Sequence, residues 1–281
     1  MIRAAFFDID GTLVSFRTHD IPESAVRALE LLRECGVLLF LATGRSSADM
    51  PRPIRALNER LPFDGFLTFN GQYCYDAAGE VFRDRPIDPA DVARIVSLAE
   101  RGVIDIAVMQ RSRMFVNRHT SRVLAAEAAV DNATPVGDLA WALEEPTYQF
   151  CAYVEPGEEY LFMDVCENVE HTRWTSNFCD VIPAGGGKPA GIAAACARWG
   201  LTPQECVAFG DGGNDVPMFG CVGTSVAMGN AGEDVKAAAT MVTSDVDEDG
   251  VLVACESLGL CVGMRARALL ASSRARASRR A

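Results

Sequence analysis

The sequence predicts an α/β protein: a doubly wound parallel sheet with helices on its faces, interrupted by an inserted α/β unit. Two observations carry the sheet. Short apolar runs alternate with amphipathic helical stretches toward both ends of the chain, as in strand–helix–strand units of a parallel sheet. Polar clusters interrupt otherwise apolar strand ends, and ligands of open α/β sheets bind beyond the carboxyl ends of the strands. A change of rhythm between residues 82 and 183 carries the insertion.

In chain order, IRAAFFDI is a short apolar run and reads as a buried strand. IPESAVRALELLRECG follows as a helix, with Pro22 suited to its first turn, Gly36 to its stop, and Ala25, Leu29 and Leu32 as an inward stripe. VLLFLATGR is a second strand, broken at Thr43-Gly44-Arg45, and FDGFLTFNG a third. Asn70-Gly71 is a hairpin signal leading into QYCYDAAGEVF. Asp88-Pro89 then opens a helix through Arg101, with Asp88 as N-cap. Strands in DIAVMQRSRMFVNR, a helix in SRVLAAEAAV, a strand in TYQFCAYV, a helix in EEYLFMDVC and strands in HTRWTSNFCDVIPA complete the insertion. The stretch PAGGGKP reads as a hinge or turn. A helix in PAGIAAACARWG, the strand CVAFGDG, a short helix after Asn214, the strand SVAMG, and the pair TMVTS and DGVLVACESLG resume the alternation. The expectation is a discontinuous core of residues 1–81 and 184–281 with an α/β cap of residues 82–183, enough chain for a core of its own.

Composition bounds what this fold does. The chain has 281 residues, 49% of them hydrophobic and 23% charged, as in an ordinary globular protein. A formal net charge of -12 argues against general nucleic-acid binding, which needs a basic footprint. No stretch approaches the roughly 20 apolar residues of a spanning helix, and MIRAAFFDIDG is too short and too acidic for a signal peptide. No membrane partner is expected, and a reduced cytoplasmic location is the simplest expectation. The ten cysteines form no C-x-x-C pair and read as small hydrophobes, and His19, His119 and His171 show no zinc-ligand spacing. Met109 and Met114 read as packing residues, Trp141, Trp174 and Trp199 as core, with Trp174 placed best to face a substrate. After Glu256 the chain carries arginines and no acids, a solvated extension from about residue 265.

The polar clusters converge on one chemistry. Asp8 and Asp10 follow the first strand, Thr43, Gly44 and Arg45 the second; Lys188 opens a helix after three glycines, and Asp211, Asn214 and Asp215 follow CVAFG. Carboxylates this close need a shared proton or a cation, and close carboxylates suit a hard cation with oxygen ligands such as Mg²⁺. Lys188 and the amides after Asp8 and Thr43 suit an anion with dispersed oxygens. A cation beside an anion pocket and a carboxylate nucleophile point to phosphoryl transfer.

In order, DIDGTL, ATGR, GGGK and GDGGND resemble the four motifs of the haloacid dehalogenase superfamily of phosphatases. FNG, IPAGGGKPAGI, GDGGNDVPMF, SVAMGNAGEDVKAAA and EDGV further resemble its Cof-type branch. The resemblance implies a Rossmann-like core with a cap between the second and third motifs, and hydrolysis of a small phosphorylated metabolite. It implies that Asp8 attacks phosphorus and that Asp10 is the general acid and base. Thr43 and Lys188 then hold the phosphoryl group, Asn214 contacts phosphate or orients Lys188, and Gly44 and Arg45 contribute less directly. Mg²⁺ falls to the Asp8 and Asp211 carboxylates and the Asp10 carbonyl, with Asp215 acting through water. The family often carries a polar residue before the lysine, where this chain has Gly187. An arginine after a glycine turn also serves as a structural salt bridge, so Arg45 stands between two roles. Transfer to a second acceptor, as in phosphomannomutases, and non-catalytic phosphometabolite binding remain as alternatives.

Overall fold

A computed structural model describes residues 1–129 and 133–260, with the side chain of Ala129 left aside. The arginine-rich extension lies outside the described residues. The elements run β1 (Ala4–Phe7), α1 (Glu23–Glu34), β2 (Leu38–Ala42), α2 (Arg52–Arg60), β3 (Gly65–Thr68), β4 (Tyr73–Asp76), β5 (Val81–Asp84), α3 (Pro89–Glu100), β6 (Asp105–Gln110), β7 (Met114–Val116) and α4 (Ser121–Ala129). They continue as β8 (Thr147–Tyr153), α5 (Tyr160–Met163), β9 (Val169–Thr172), β10 (Cys179–Pro183), α6 (Gly187–Trp199), β11 (Cys206–Gly210), α7 (Val216–Phe219), β12 (Thr224–Ala227), α8 (Glu233–Ala238), β13 (Met241–Val242) and α9 (Gly250–Ser257).

Two sheets result. The larger has the order β13-β12-β11-β1-β2-β3-β4-β5, parallel from β13 to β3 and antiparallel at β4 and β5. The chain leaves β1 toward β2 on one side and returns as β11 on the other, so strand order reverses at β1, the place where such sheets bind ligands. Alternate residues of β1 feed two apolar layers. Phe7 stacks on Phe209 at 4.7 Å beneath α1 and α9, while Phe6 stacks on Phe40 at 4.7 Å against α6. Burial on both faces explains why these strands read as unbroken apolar runs.

The second sheet, β7-β6-β8-β10-β9, is antiparallel and comes wholly from the insertion. Asp88 caps α3 as expected, accepting from the Ala90 amide at 2.8 Å. The stretch EEYLFMDVC is helical for only one turn, because Phe162 alone docks fully and the chain turns away. The segment DGVLVACESLG forms α9, whose Val251, Ala254 and Cys255 make a buried helical stripe. All nine described cysteines are free thiols. Trp199 packs edge-on against Phe40 and Phe82, whereas Trp141 is 38% exposed because it lies over Arg113 at the edge of the second sheet, so it is not core. Among the described residues, no helix is long and apolar enough to cross a membrane.

Candidate active site

The parallel register aligns the ends of β1, β2 and β11, with Phe7 opposite both Leu41 and Phe209. Asp8, Thr43 and Asp211 therefore leave the sheet side by side. The Asp8 amide still donates to the Phe209 carbonyl at 3.0 Å, so its carboxylate is fixed by the end of the sheet. Gly11 then turns the chain at φ +79°, and a Cβ there would stand 2.2 Å from Asp211 Oδ2. Thr12 Oγ1 donates to Asp211 Oδ1 at 3.0 Å, binding the first motif to the last. The amides of Gly11, Thr12 and Leu13 are spent inside this turn on the Val14 and Ile9 carbonyls. These three amides are turned inward, whereas the amides of Ile9 and Asp10, directly after Asp8, are not among those the turn consumes.

Lys188 reaches the same point from the first turn of α6, where the helix dipole disfavours a cation. Two carboxylates offset this: Nζ lies 2.6 Å from Asp8 Oδ1 and 2.6 Å from Asp215 Oδ1, and the residue is 1% exposed. Burial pulls the ammonium down, but Asp215 and Asp8 outweigh it and hold its pKa above the ordinary value. The docking of α6 depends on the hairpin turn Asn70-Gly71. A Cβ on Gly71 would stand 2.8 Å from the Gly187 carbonyl and 3.1 Å from Gly191 Cα, so the two backbones meet directly.

Asp215 is fully buried; its second oxygen accepts from the Asp211 and Gly212 amides, each at 2.9 Å. It is Asp215, not Asn214, that orients Lys188. Asn214 instead donates to Asn70 Oδ1 at 3.2 Å. Asn70 in turn donates to Gln149 Oε1 and Asp180 Oδ2, both at 2.9 Å, which ties the site to β8 and β10 of the second sheet. Gly44 leaves room for this knot: a Cβ there would lie 3.1 Å from Asn70 Nδ2 and 3.3 Å from Asp180 Oδ2.

Arg45 grips Asp10 with two bonds, Nε to Oδ2 at 2.7 Å and Nη2 to Oδ1 at 2.9 Å, and also pairs with Asp49 at 3.0 Å. Its guanidinium therefore acts as an ion-pair partner rather than an anion contact. Thr43 is buried, and its hydroxyl accepts from the Arg45 amide at 3.1 Å.

Carboxylate oxygens of Asp8, Asp211 and Asp215 lie within 4.8 Å of one another. Burial, then the neighbouring Asp215 and Asp10, push Asp8 up to about 7 against the pull of Lys188. Burial and the Asp8 and Asp215 charges push Asp211 well above its ordinary value. Three acids facing one lysine leave an excess of negative charge and an all-oxygen donor set, which fits a hard divalent cation. Asp215 Oδ2 already accepts two amides, and each Asp211 oxygen accepts one donor, from Thr12 and Asn230. Asp8 Oδ2 accepts none in the hydrogen-bond network of the described residues, so Asp8 and then Asp211 keep the most open lone pairs. The Asp10 side chain lies with Arg45, outside this group. A separate trio, Glu159, His171 and Cys179, also clusters within the insertion, although the histidine spacing had suggested no such group. There Glu159 holds Arg173 at 2.7 Å, and burial pushes the Cys179 thiol up to about 12.

A cavity of about 470 Å³ opens over Asp8 and Asp211 and is roofed by the insertion, including Gln149, Tyr153, Trp174 and Asp180. Trp174 lines it, and so do Met109 and Met114, which the sequence had suggested only as packing residues. The motif pattern missed Asn230, Gln149 and Asp180. Asn230 donates to Asp211 Oδ2 at 3.2 Å and to the Gly11 carbonyl at 2.9 Å. The one signal for Asp180 was a lone acid within the apolar run CDVIP.

Comparison with known proteins accords with this geometry. The profile of the family described as haloacid dehalogenase-like hydrolase matches residues 5–254. YkrA of Bacillus subtilis, provisionally named a phosphatase, is 33% identical over 259 residues, 91% of this chain and 97% of its own length. An HMP-PP phosphatase of Enterobacter sp. strain 638 is 29% identical over 238 residues, 82% of this chain and 85% of its own. The solved structure of the HAD subclass IIB sugar phosphatase BT4131 superposes with a TM-score of 0.85 at 34% identity, covering 92% of this chain and 99% of that one. The chain belongs to the haloacid dehalogenase-like hydrolase family and is a phosphatase of its Cof-type branch.

Proposed function

We propose that the protein is a Mg²⁺-dependent phosphomonoesterase of a small phosphorylated metabolite, acting through an aspartyl phosphate on Asp8. The observation that carries this is the crowding of Asp8, Asp211 and Asp215 around one buried lysine at the point where strand order reverses. Lys188 occupies Asp8 Oδ1, so Oδ2 is the oxygen that attacks phosphorus. As that bond forms, the ester P–O bond breaks, and Asp10 hands its proton to the departing alkoxide. Asp10 then takes a proton from water, whose oxygen attacks phosphorus. The Asp8–phosphorus bond breaks, and inorganic phosphate leaves. Thr43 and Lys188 hold the transferring group, Asn214 contacts its rim, and Arg45 aims the Asp10 carboxylate. Asp8 and Asp211, with the Asp10 carbonyl and Asp215 in support, would hold Mg²⁺, which would supply charge neutralisation for the phosphoryl oxygens.

Residues 85–183 serve as the cap, which starts three residues later than the sequence suggested because β5 pairs with β4 in the larger sheet. This cap excludes water during transfer and contacts the leaving group. The named activities of similar proteins, a sugar phosphatase and HMP-PP phosphatases, support a small metabolite as substrate. The test is phosphate release with Asp8→Asn in Mg²⁺ and in chelator. Turnover is expected to vanish in the variant with its melting transition retained, and in wild type with chelator. Substantial residual turnover in D8N overturns the assignment.

A further inference from the structure

The part of the cavity wall supplied by the cap has a distinctive chemistry. Met109, Met114, Tyr153, Trp174 and Phe178 give it a thioether and aromatic surface. Phe178 meets Trp174 edge-on at 5.4 Å and Tyr153 at 5.7 Å, so the rings brace one another. No Lys, Arg or His lies among the described cap residues that line the cavity, whereas the acids Glu127 and Asp180 do. A leaving group with a second phosphate or a carboxylate would find no counter-charge there and would face two acids.

Two buried polar side chains interrupt the apolar wall. Gln149 and Asp180 are each 1% exposed and sit side by side, because both accept from Asn70 Nδ2 at 2.9 Å. Their remaining polar atoms meet only sulfur in the hydrogen-bond network of the described residues. Gln149 Nε2 faces Met109 Sδ at 3.2 Å, and Asp180 Oδ1 faces Cys151 Sγ at 3.5 Å. Sulfur is a weak donor and a weak acceptor, and a buried polar atom gains from a stronger partner. The wall thus offers one donor and one acceptor, adjacent and weakly engaged, beside a face of aromatic rings.

We infer that the cap receives the alcohol portion of a phosphomonoester built on a flat, uncharged or cationic aromatic ring, whose edge presents a hydrogen-bond donor to Asp180 and an acceptor to Gln149. Alcohols carrying a second anionic group are rejected. The cavity of about 470 Å³ is of the size that holds one such molecule. This inference rests on the phosphatase assignment of Asp8 for its orientation, phosphate toward Asp8 and ring toward the cap.

Four esters test it in phosphate-release assays: 4-carbamoylbenzyl phosphate, benzyl phosphate, glucose 6-phosphate and fructose 1,6-bisphosphate. The expected order of kcat/KM follows that sequence, with the carbamoyl group worth about tenfold over the bare ring. Gln149→Leu should bring the carbamoylbenzyl-to-benzyl ratio close to one. Trp174→Ala, at a partly exposed position that tolerates truncation, should lower kcat/KM for both ring esters by about tenfold relative to glucose 6-phosphate. The inference is overturned if glucose 6-phosphate or the bisphosphate is turned over as well as the carbamoylbenzyl ester. It is also overturned if the carbamoylbenzyl-to-benzyl ratio is unmoved in a folded Q149L, or if W174A leaves ring preference intact. Calorimetric titration of D8N with the same esters separates the two readings. Binding in the expected order without hydrolysis by wild type refutes the phosphatase assignment and supports the ring pocket; hydrolysis of all four at equal kcat/KM does the reverse.

Discussion

Asp180→Asn should change how stability depends on pH. Burial is the main reason that Asp180 is raised from the ordinary 3.8 to about 6, partly opposed by the bonds from Asn70 and Cys151. Between those two values the folded protein holds a proton that the unfolded chain has released. The stability this group contributes is therefore fully present below about pH 3.8 and is lost as pH rises through about 6. At 1.36 kcal/mol per pH unit, the displacement corresponds to roughly 3 kcal/mol. No discount for solvent screening applies, because the residue is 1% exposed. The amide replacing the carboxylate keeps an oxygen for Asn70 and does not titrate. Urea denaturation of both proteins at intervals from about pH 4 to about pH 7 should show the D180N variant gaining on wild type by roughly 3 kcal/mol as pH rises. A pH-independent difference, or wild type gaining instead, refutes the reasoning.

The remaining predictions concern the core side of the site. Lys188→Met leaves Asp8 and Asp215 facing each other without their shared cation, so unfolding free energy should fall by about 3–5 kcal/mol. Phosphate release should drop by about 10²–10³, and unchanged stability in denaturant would count against the buried ion triad. Arg45→Lys cannot reproduce the two-pronged grip on Asp10, so kcat should fall at least about tenfold while KM moves little; a kcat equal to wild type argues that Asp10 positions itself. Gly11→Ala forces a strained φ and a methyl group into Asp211, which should weaken activation in a Mg²⁺ titration far more than it lowers the melting temperature. Equal Mg²⁺ response in G11A and wild type refutes the proposed contact.

Much of the architecture was legible from local pattern. Strands of a parallel sheet buried on both faces must be apolar throughout, and polar residues appear only where the chain leaves the sheet. That contrast marks Asp8, Thr43 and Asp211 without any coordinates. Asp88 was legible for a related reason, since an N-cap bonds within its own turn. Less legible were residues whose partners lie far along the chain. Arg45 could be a ligand or an ion pair on sequence grounds, and the 2.7 Å approach to Asp10 decides for the pair. The division of labour between Asn214 and Asp215 was likewise hidden, because adjacent residues at the end of a strand point in directions that only the turn selects.

By itself, the sequence determined the alternation of strands and helices of a parallel sheet, and the set of acids and the lysine that face one crevice. Each follows from periodicity and from strand ends, which are local properties. Tertiary structure decided the pairings. Two carboxylates came to share Lys188, Arg45 turned to Asp10, and Asn70 joined the core to Gln149 and Asp180. It also decided the character of the cavity wall, because Met109, Gln149, Trp174 and Asp180 come from separate segments of the cap. No local pattern encodes such a surface; it exists only once the second sheet packs over the ends of β1 and β11.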